Sequence, residues 1–261
     1  MHGSSTALRV LATLVFAFLL APLLVVVLVS FSPTPAFRIP TTEFSLDWYR
    51  KFFGMAQFRD GLFLVSLPVA LASGSLATLL GTLAAVYLVR SGLASRAAME
   101  SFFMLPLLIP SILLGAALYL VAARMGVAGQ AWTLVLGHTL LGVPYVIRVV
   151  GAGLVAIDPR LEEAAVNLGC TSRQAFLRVV LPLLKPAMFS GAIFAFIVSF
   201  SDVNLALFVA GPGTTTLPIH VFSQIFWEGD PTIAAASALQ ILVVGVLILT
   251  MQRLLKLRLS L

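Results

Sequence analysis

Residues 158–183 read DPRLEEAAVNLGCTSRQAFLRVVLPL, a polar interruption between two long apolar stretches. Asp158 is a good helix N-cap, and Pro159 suits the first helical position, so a short helix is predicted to start here. Gly169 fits the left-handed residue that follows a helix, which predicts that this helix ends there.

A second helix is predicted directly after the glycine. Thr171 and Gln174 have the spacing of a capping box, and the helix that they open runs toward Pro182 and the membrane. Ala164 and Ala165 give the first helix a small face that would let it lie close against another protein. The segment therefore predicts helix, glycine turn, helix, although an ordinary amphipathic hairpin at a membrane surface fits the same pattern.

The composition on either side of this hairpin is that of a membrane protein. Of the 261 residues, 60% are hydrophobic and 10% are charged, whereas soluble domains carry roughly 25% charged residues. A membrane-spanning helix needs about 20 mostly apolar residues. The chain is therefore predicted to be an all-α membrane protein with six transmembrane helices in one domain, residues 1–261. The six apolar stretches are 8–31, 61–89, 102–123, 131–157, 187–210 and 233–251.

The basic residues predict the orientation of these spans, because Lys and Arg collect on the cytoplasmic side. An N-terminus inside the cell places ten of the 16 basic residues inside and five outside, with Arg148 within a span. Both termini and the hairpin are then cytoplasmic, and the net charge of +6 needs no nucleic-acid partner. The outside residues are Arg38, Arg50, Lys51, Arg59 and Arg124.

Proline and small residues within the spans predict kinks and close helix packing. Ala77 with Gly81, and Ala187 with Gly191, are small pairs four residues apart that let two helices approach closely. Prolines remove a backbone donor, so kinks are expected where they occur within a span. These prolines are Pro22, Pro68, Pro106, Pro110 and Pro144.

Catalytic and metal-binding patterns are absent from the sequence. No Gly-Lys dipeptide occurs, and a phosphate-binding P-loop requires one. The three histidines have no ligand spacing, and the single cysteine, Cys170, excludes an intramolecular disulfide and a Cys-rich metal site. The chain is therefore predicted not to be an enzyme.

The hairpin resembles the EAA loop of ABC importer permeases. The shared pattern is Glu163-Ala-Ala, then Gly169, then Val179-x-Leu181-Pro182, with Val179 where the family often has Ile. In that family the short helix is a coupling helix that lies in a groove of the nucleotide-binding subunit. The resemblance implies an EAA loop over residues 158–182 in which coupling to the ATPase is carried by Glu162, Glu163, Ala164, Ala165, Gly169, Leu181 and Pro182.

The same resemblance implies the partners and the location. The expected partners are an ABC ATPase dimer that holds ATP and Mg, a second permease subunit that is homologous or identical, and a periplasmic or lipid-anchored solute-binding protein. This chain itself is expected to carry no cofactor. The expected location is the bacterial inner membrane, and the expected mechanism is alternating access driven by ATP on the partner.

Two further segments are similar to those of spermidine/putrescine-type permeases. They are FSLDWYR at residues 44–50 and GPGTTTLP at residues 211–218. The resemblance implies a small polar solute such as a polyamine. Relatives of this type also carry aminoethylphosphonate, ferric iron and other small solutes, so these remain alternatives.

Four residues are candidates for the solute pathway. Asp202 lies deep in the fifth apolar stretch, where a carboxylate is costly and usually faces a cavity or a partner. Trp227, Glu228 and Asp230 form an aromatic and acidic cluster in the last outer loop, and such groups suit a cationic polyamine. Alternatively, Asp202 makes a structural hydrogen bond or an ion pair with the companion permease, and the cluster contacts the binding protein or belongs to an aromatic belt.

Two other polar residues in the spans are better explained by structure. Arg148 can extend its side chain to the cytoplasmic surface, and His138 is expected to make a structural hydrogen bond. A secondary transporter or channel that works without ATP is the competing class, but it needs ionisable groups within the membrane for ion coupling. A membrane scaffold without transport is the remaining alternative.

Overall fold

The computed structural model describes residues 3–34, 39, 43–91, 96–227 and 230–259, and the regular elements in these ranges are helices. The all-helical prediction is confirmed for this part of the chain. The helices are α1 (Gly3–Val29), α2 (Asp47–Gly54), α3 (Ala56–Asp60), α4 (Leu67–Arg90), α5 (Arg96–Leu108), α6 (Ser111–Arg124), α7 (Ala131–Val155), α8 (Arg160–Asn167), α9 (Ser172–Ala175), α10 (Leu181–Ser201), α11 (Ala206–Val209), α12 (Leu217–Trp227) and α13 (Thr232–Leu259).

Five helical stretches of the described chain are long and apolar enough to cross a membrane, and a bent pair gives a sixth only if it is one span. The five are Thr6–Val29, Ala56–Arg90, Ala131–Val155, Ser172–Ser201 and Thr232–Arg253. Each of them overlaps one of the stretches predicted from the sequence, although Ser172–Ser201 begins and ends earlier than the predicted 187–210.

The third predicted stretch, residues 102–123, is not one straight helix. It is divided between α5 and α6, which are bent by 94° relative to each other. The break lies at Ile109 and Pro110, where Pro110 has extended backbone angles of φ −52° and ψ 126°. A proline disfavours helical geometry in the residue before it, so the kink expected here is a full interruption.

Two π-helical segments lie in the long spans, at Gly61–Ser66 and Phe176–Val180. Each is followed directly by a Leu-Pro pair, Leu67-Pro68 and Leu181-Pro182. A proline within a helix lacks an N–H donor, and its ring crowds the carbonyl four residues earlier. A wider π turn before the proline relieves that crowding, which explains why these spans continue past Pro68 and Pro182.

The described chain forms two compact units, residues 1–60 with 220–245 and residues 61–219 with 246–261. The single domain over residues 1–261 therefore stays a prediction. In the second unit α4, α7 and α10 pack against one another. A Cβ on Gly81 would lie 2.7 Å from Cβ of Val146, and a Cβ on Gly191 would lie 3.3 Å from its Cα. The small-residue contacts predicted from the sequence are thus confirmed.

The core of the second unit consists of two hydrophobic clusters. One lies at the end of the helices that carries α8, around Leu88, Val150 and Leu184. The other lies toward the opposite end, around Leu134 and Leu205. Between them, Gly142 of α7 lies so close to Ala77 and Ala195 that a Cβ would stand 3.1 Å and 3.0 Å from their Cβ atoms.

The first unit contains α1 and the short helices that follow it. The indole Nε1–H of Trp48 in α2 donates to the carbonyl of Ser32 at 2.7 Å, and the hydroxyls of Ser30 and Tyr49 lie 2.7 Å apart. Phe52 and Phe58 are fully buried and stacked, with 5.7 Å between ring centroids. Within this unit α2 is therefore fixed to the end of α1 by two hydrogen bonds.

Candidate functional sites

The hairpin of residues 158–182 begins as the sequence predicts. The carboxylate of Asp158 accepts the backbone N–H of Arg160 at 2.9 Å, the bond that a capping side chain makes. Pro159 already has helical angles, φ −57° and ψ −27°. Glu162 and Glu163 lie in the first turn of α8, where the helix dipole favours negative charge.

The glycine turn at the end of α8 is also confirmed. Gly169 has φ +96°, in the left-handed region. The N–H of Cys170 donates to the carbonyl of Ala165 at 3.1 Å, and the N–H of Gly169 donates to that of Val166 at 2.9 Å. These two bonds make a Schellman motif, which satisfies the last carbonyls of α8 and fixes the angle at which the chain leaves it.

The second half of the hairpin opens with the predicted capping box. The N–H of Gln174 donates to Oγ1 of Thr171 at 3.3 Å, and the N–H of Thr171 donates to Oε1 of Gln174 at 3.0 Å. The chain then passes through α9 and the π segment into α10, whose first two residues are Leu181 and Pro182. The last two residues of the EAA pattern thus begin α10, which leads away from the hairpin.

The surface of α8 is open, and it mixes apolar side chains with the exposed polar residues Arg160, Glu163 and Asn167. None of its residues is buried, and Ala164 is exposed while Ala165 is half-buried. Leu161 and Leu168 expose 48% and 87% of their surface, although both are large apolar side chains. An open surface with large apolar side chains is suited to burial against a partner.

Glu162 makes an ion pair that the sequence does not suggest. Its carboxylate accepts both terminal guanidinium nitrogens of Arg90, the last residue of α4, at 2.5 and 3.1 Å. The same guanidinium lies over the ring of Phe176, 4.8 Å from the centroid. A 350 Å³ pocket beside this contact is lined by Asp158, Pro159 and Val180 among others. The Arg90 contact joins residues 72 positions apart, and no local motif signals it.

The placement of Asp202 corrects a sequence prediction. The stretch 187–210 was predicted as one helix, but α10 ends at Ser201, and Asp202 has an extended ψ of 133°. Its carboxylate accepts the N–H of Ala206 at 3.0 Å and so caps α11. Because Asp, like Asn and Ser, can cap a new helix, it interrupts the span where apolar composition alone predicts continuity.

Asp202 belongs to a buried polar cluster formed by Ser73, His138, Ser199 and Asp202. Ser73 donates to Oγ of Ser199 at 2.9 Å, and that oxygen lies 2.7 Å from Nδ1 of His138. Nε2 of His138 lies 3.6 Å from the Asp202 carboxylate. The structural hydrogen bond expected for His138 is confirmed by its contact with Ser199.

A 380 Å³ pocket adjoins the cluster at the break between α5 and α6. Asp202 lines it together with Ser111, Tyr145 and the residues around Pro110. The pocket therefore combines one carboxylate, a phenol, a hydroxyl and an apolar wall. Such a combination of an apolar lining with few polar groups is typical of small-molecule sites.

The predicted aromatic and acidic cluster of Trp227, Glu228 and Asp230 is described only in part. Trp227 ends α12, but its side chain and the whole of Glu228 lie outside the described residues. Asp230 is engaged by the ammonium of Lys51, and it accepts the N–H of Thr232 at 2.7 Å. Partial burial opposes ionisation, but the contacts of Lys51 and Thr232 hold the pKa of the Asp230 carboxyl below its usual range.

Arg148 lies on α7, and its residue is exposed. It lines a 400 Å³ pocket with Arg96 and Glu100 near the hairpin end of the second unit. Among the described residues, no group of three His, Cys, Asp or Glu side chains could hold a metal ion.

A family model and the sequences of known proteins identify the same family for this chain. Residues 77–261 match the model of the binding-protein-dependent transport system inner membrane component. The putrescine transport system permease protein PotI of Escherichia coli K12 is 34% identical over 250 residues, which cover 91% of this chain and 86% of that protein. The spermidine/putrescine transport system permease protein PotC of Haemophilus influenzae is 28% identical, with 87% and 88% of the two chains covered.

A solved structure supports the fold independently. A chain of a bacterial ABC transporter involved in the import of the acidic polysaccharide alginate superposes with a TM-score of 0.70. It is 13% identical in sequence, and the match covers 95% of both chains. At that identity the likeness concerns the arrangement of helices.

Proposed function

The chain belongs to the family of binding-protein-dependent transport system inner membrane components, and from that premise we propose that it is the transmembrane subunit of an ABC importer. One structural observation supports coupling of this chain to an ATPase. The hairpin of residues 158–182 presents α8 as an open surface that includes the exposed Leu161, and the next residue after α8, Leu168, is 87% exposed. This surface lies beside a turn fixed by Gly169 and the Thr171 capping box. A short, rigid helix with small and apolar residues is suited to docking in a groove of an ATPase.

The proposed partners supply the functions for which this chain has no motif. Since the sequence has no P-loop, ATP and Mg belong on a separate ATPase dimer. A second permease subunit completes the pathway across the inner membrane, and a periplasmic or lipid-anchored binding protein delivers the solute. The hairpin and both termini lie in the cytoplasm, in agreement with the excess of Lys and Arg on that side.

The solute is a polyamine or a similar small cation. This rests on the likeness to PotI and PotC, which covers most of the chain and is more specific than membership of the family. The carboxylate of Asp202 lines a pocket beside an aromatic residue, Tyr145, and such groups suit an alkylammonium ion. Ferric iron, aminoethylphosphonate and other small solutes are the alternatives that an uptake panel would separate.

Replacement of Gly169 tests the proposal. Gly169→Val places a β-branched side chain at φ +96°, which costs about 1 kcal/mol or more and displaces α8. We expect the protein to insert normally but to lose the ATPase on purification through a tag on this chain. Uptake of radiolabelled putrescine by cells should fall with it.

A matched control is Gly126→Val. Gly126 has φ +72°, with nothing within 4 Å of an added Cβ, as at Gly169. It therefore imposes comparable backbone strain on a turn outside the hairpin, and the ATPase should stay bound. Unchanged copurification and uptake in Gly169→Val would show that the hairpin does not hold the ATPase. Uptake that persists without ATP and follows an ion gradient would favour the secondary transporter instead.

A further inference from the structure

The guanidinium of Arg90 connects α4 to both halves of the hairpin. Its two terminal nitrogens donate to the two carboxylate oxygens of Glu162 on α8, at 3.1 and 2.5 Å. Paired parallel bonds of this kind fix the relative orientation of the two groups as well as their distance. Its flat face covers the ring of Phe176, the first residue of the π segment in the second half of the hairpin.

The contact is half-buried. The side chains of Arg90 and Glu162 are 37% and 24% exposed. A fully buried pair would carry a large desolvation cost and would be hard to separate, whereas a partly exposed pair has a modest energy and can break and re-form. The 350 Å³ pocket beside it gives the two elements room to move relative to each other.

The helix that carries Arg90 continues into the candidate solute site. α4 runs without interruption from Leu67 to Arg90 and packs against α7 and α10. Ser73, about 26 Å from Arg90 along this helix at ~1.5 Å per residue, bonds to Ser199 in the polar cluster. A displacement of α4 at the hairpin end is therefore felt at the cluster that contains Asp202.

We propose that Arg90 is the positioning residue that transmits movement of the coupling helix to α4, through its ion pair with Glu162 and its stacking on Phe176. The proposal rests on the proposed function, since it assumes an ATPase bound to the hairpin. Binding of the ATPase is assigned to the outer surface of α8, and transmission to the bundle is assigned to Arg90 on its inner side. The two can therefore be separated by experiment.

The test compares uptake with ATP hydrolysis in the same complex. In Arg90→Gln the ATPase should still copurify, and its hydrolysis should stay within about twofold of wild type. Putrescine uptake should fall about fivefold, the equivalent of about 1 kcal/mol, which is the scale of a partly exposed ion pair. Glu162→Gln should lower putrescine uptake by a similar factor, because it removes the other half of the ion pair.

A charge exchange distinguishes transmission from a general loss of structure. Arg90→Glu and Glu162→Arg should each reduce uptake per ATP, and the double variant should restore at least half of it. Arg90→Lys keeps the charge but not the paired bonds and the flat face, so it should be intermediate. Arg124→Gln is the control, because Arg124 also ends an apolar helix but makes no ion pair with any residue that the structure describes.

Two results would overturn the proposal. One is an unchanged ratio of uptake to hydrolysis in Arg90→Gln and Glu162→Gln. The other is a proportional fall of hydrolysis, uptake and thermal stability, without rescue in the exchanged pair, which would assign the contact a structural role only. If no ATPase copurifies with the wild-type protein, the proposed function itself is contradicted, and the role of Arg90 with it.

Discussion

Asp202 makes two contacts whose importance a single substitution can separate. Its carboxylate caps α11 through the N–H of Ala206, and it lines the pocket at the break between α5 and α6. The capping role needs only an acceptor oxygen, whereas pairing with a cationic solute needs the negative charge. The structure is therefore consistent with a structural hydrogen bond and with a contact to a solute. The first needs a carboxylate oxygen as acceptor, and the second needs the charge.

Asp202→Asn keeps the acceptor and removes the charge. If the solute is a cation that passes this pocket, putrescine uptake should fall about tenfold or more, a loss of at least ~1.4 kcal/mol. Thermal stability should stay close to wild type, because the amide oxygen still caps α11. The measurements are uptake by cells and thermal unfolding of the purified protein.

The contrasting variant is Asp202→Leu, which removes the cap as well and should lower stability by about 1 kcal/mol. If the Asn variant transports normally and only the Leu variant fails, then Asp202 is a structural residue. Loss of complex assembly in the Asn variant would instead indicate an ion pair with the companion permease.

At the scale of the elements, the parts that the sequence predicts well are those that depend on neighbouring residues. The Asp158 cap, the left-handed Gly169 and the capping box of Thr171 are local interactions, and all three are found. At Pro110 the sequence predicts only a kink, and at Ser201 it predicts no helix end. Apolar residues continue through both positions, so composition gives no signal for either interruption. Apolar composition predicts that a segment lies in the membrane. It does not predict where the backbone leaves the helix because its N–H and C=O groups find other hydrogen-bond partners inside the bundle.

The crossing of α4 and α7 depends on the absence of a side chain at Gly81. An added Cβ would lie 2.7 Å from Val146, a distance that requires the helices to separate. Gly81→Val should therefore lower the free energy of unfolding by about 1–3 kcal/mol, as overpacked cores do. Thermal unfolding of the purified protein measures this.

Gly245→Val is the matched control for that substitution. Gly245 lies within α13 and has nothing within 4 Å of an added Cβ. Its replacement should leave stability unchanged or slightly raised, because glycine is a poor helix former. Equal effects of the two substitutions would contradict the close crossing of α4 and α7.

At the scale of the whole molecule, the contacts that could not be predicted are those between distant parts of the chain. Arg90 and Glu162 are 72 positions apart, and Ser73 and Ser199 are 126 apart. Each residue alone is explained equally well by solvent exposure or by helix packing, so a single sequence has no signal that pairs them. The orientation in the membrane is a whole-molecule property of a different kind, because it depends only on the sum of the basic residues in the loops.

The single cysteine makes this orientation directly measurable. Cys170 follows Gly169 in the hairpin, and it is a free thiol of intermediate exposure. A cytoplasmic hairpin predicts that a membrane-impermeant maleimide labels Cys170 in inside-out vesicles and leaves it unlabelled in intact spheroplasts. A Cys170→Ser protein with Arg124→Cys should behave in the opposite way, since the predicted topology places residue 124 outside. A bound ATPase should in addition protect Cys170 in the inside-out vesicles, and Gly169→Val should remove that protection. Labelling of Cys170 from outside the cell would reverse the topology and, with it, the assignment of the hairpin to an ATPase.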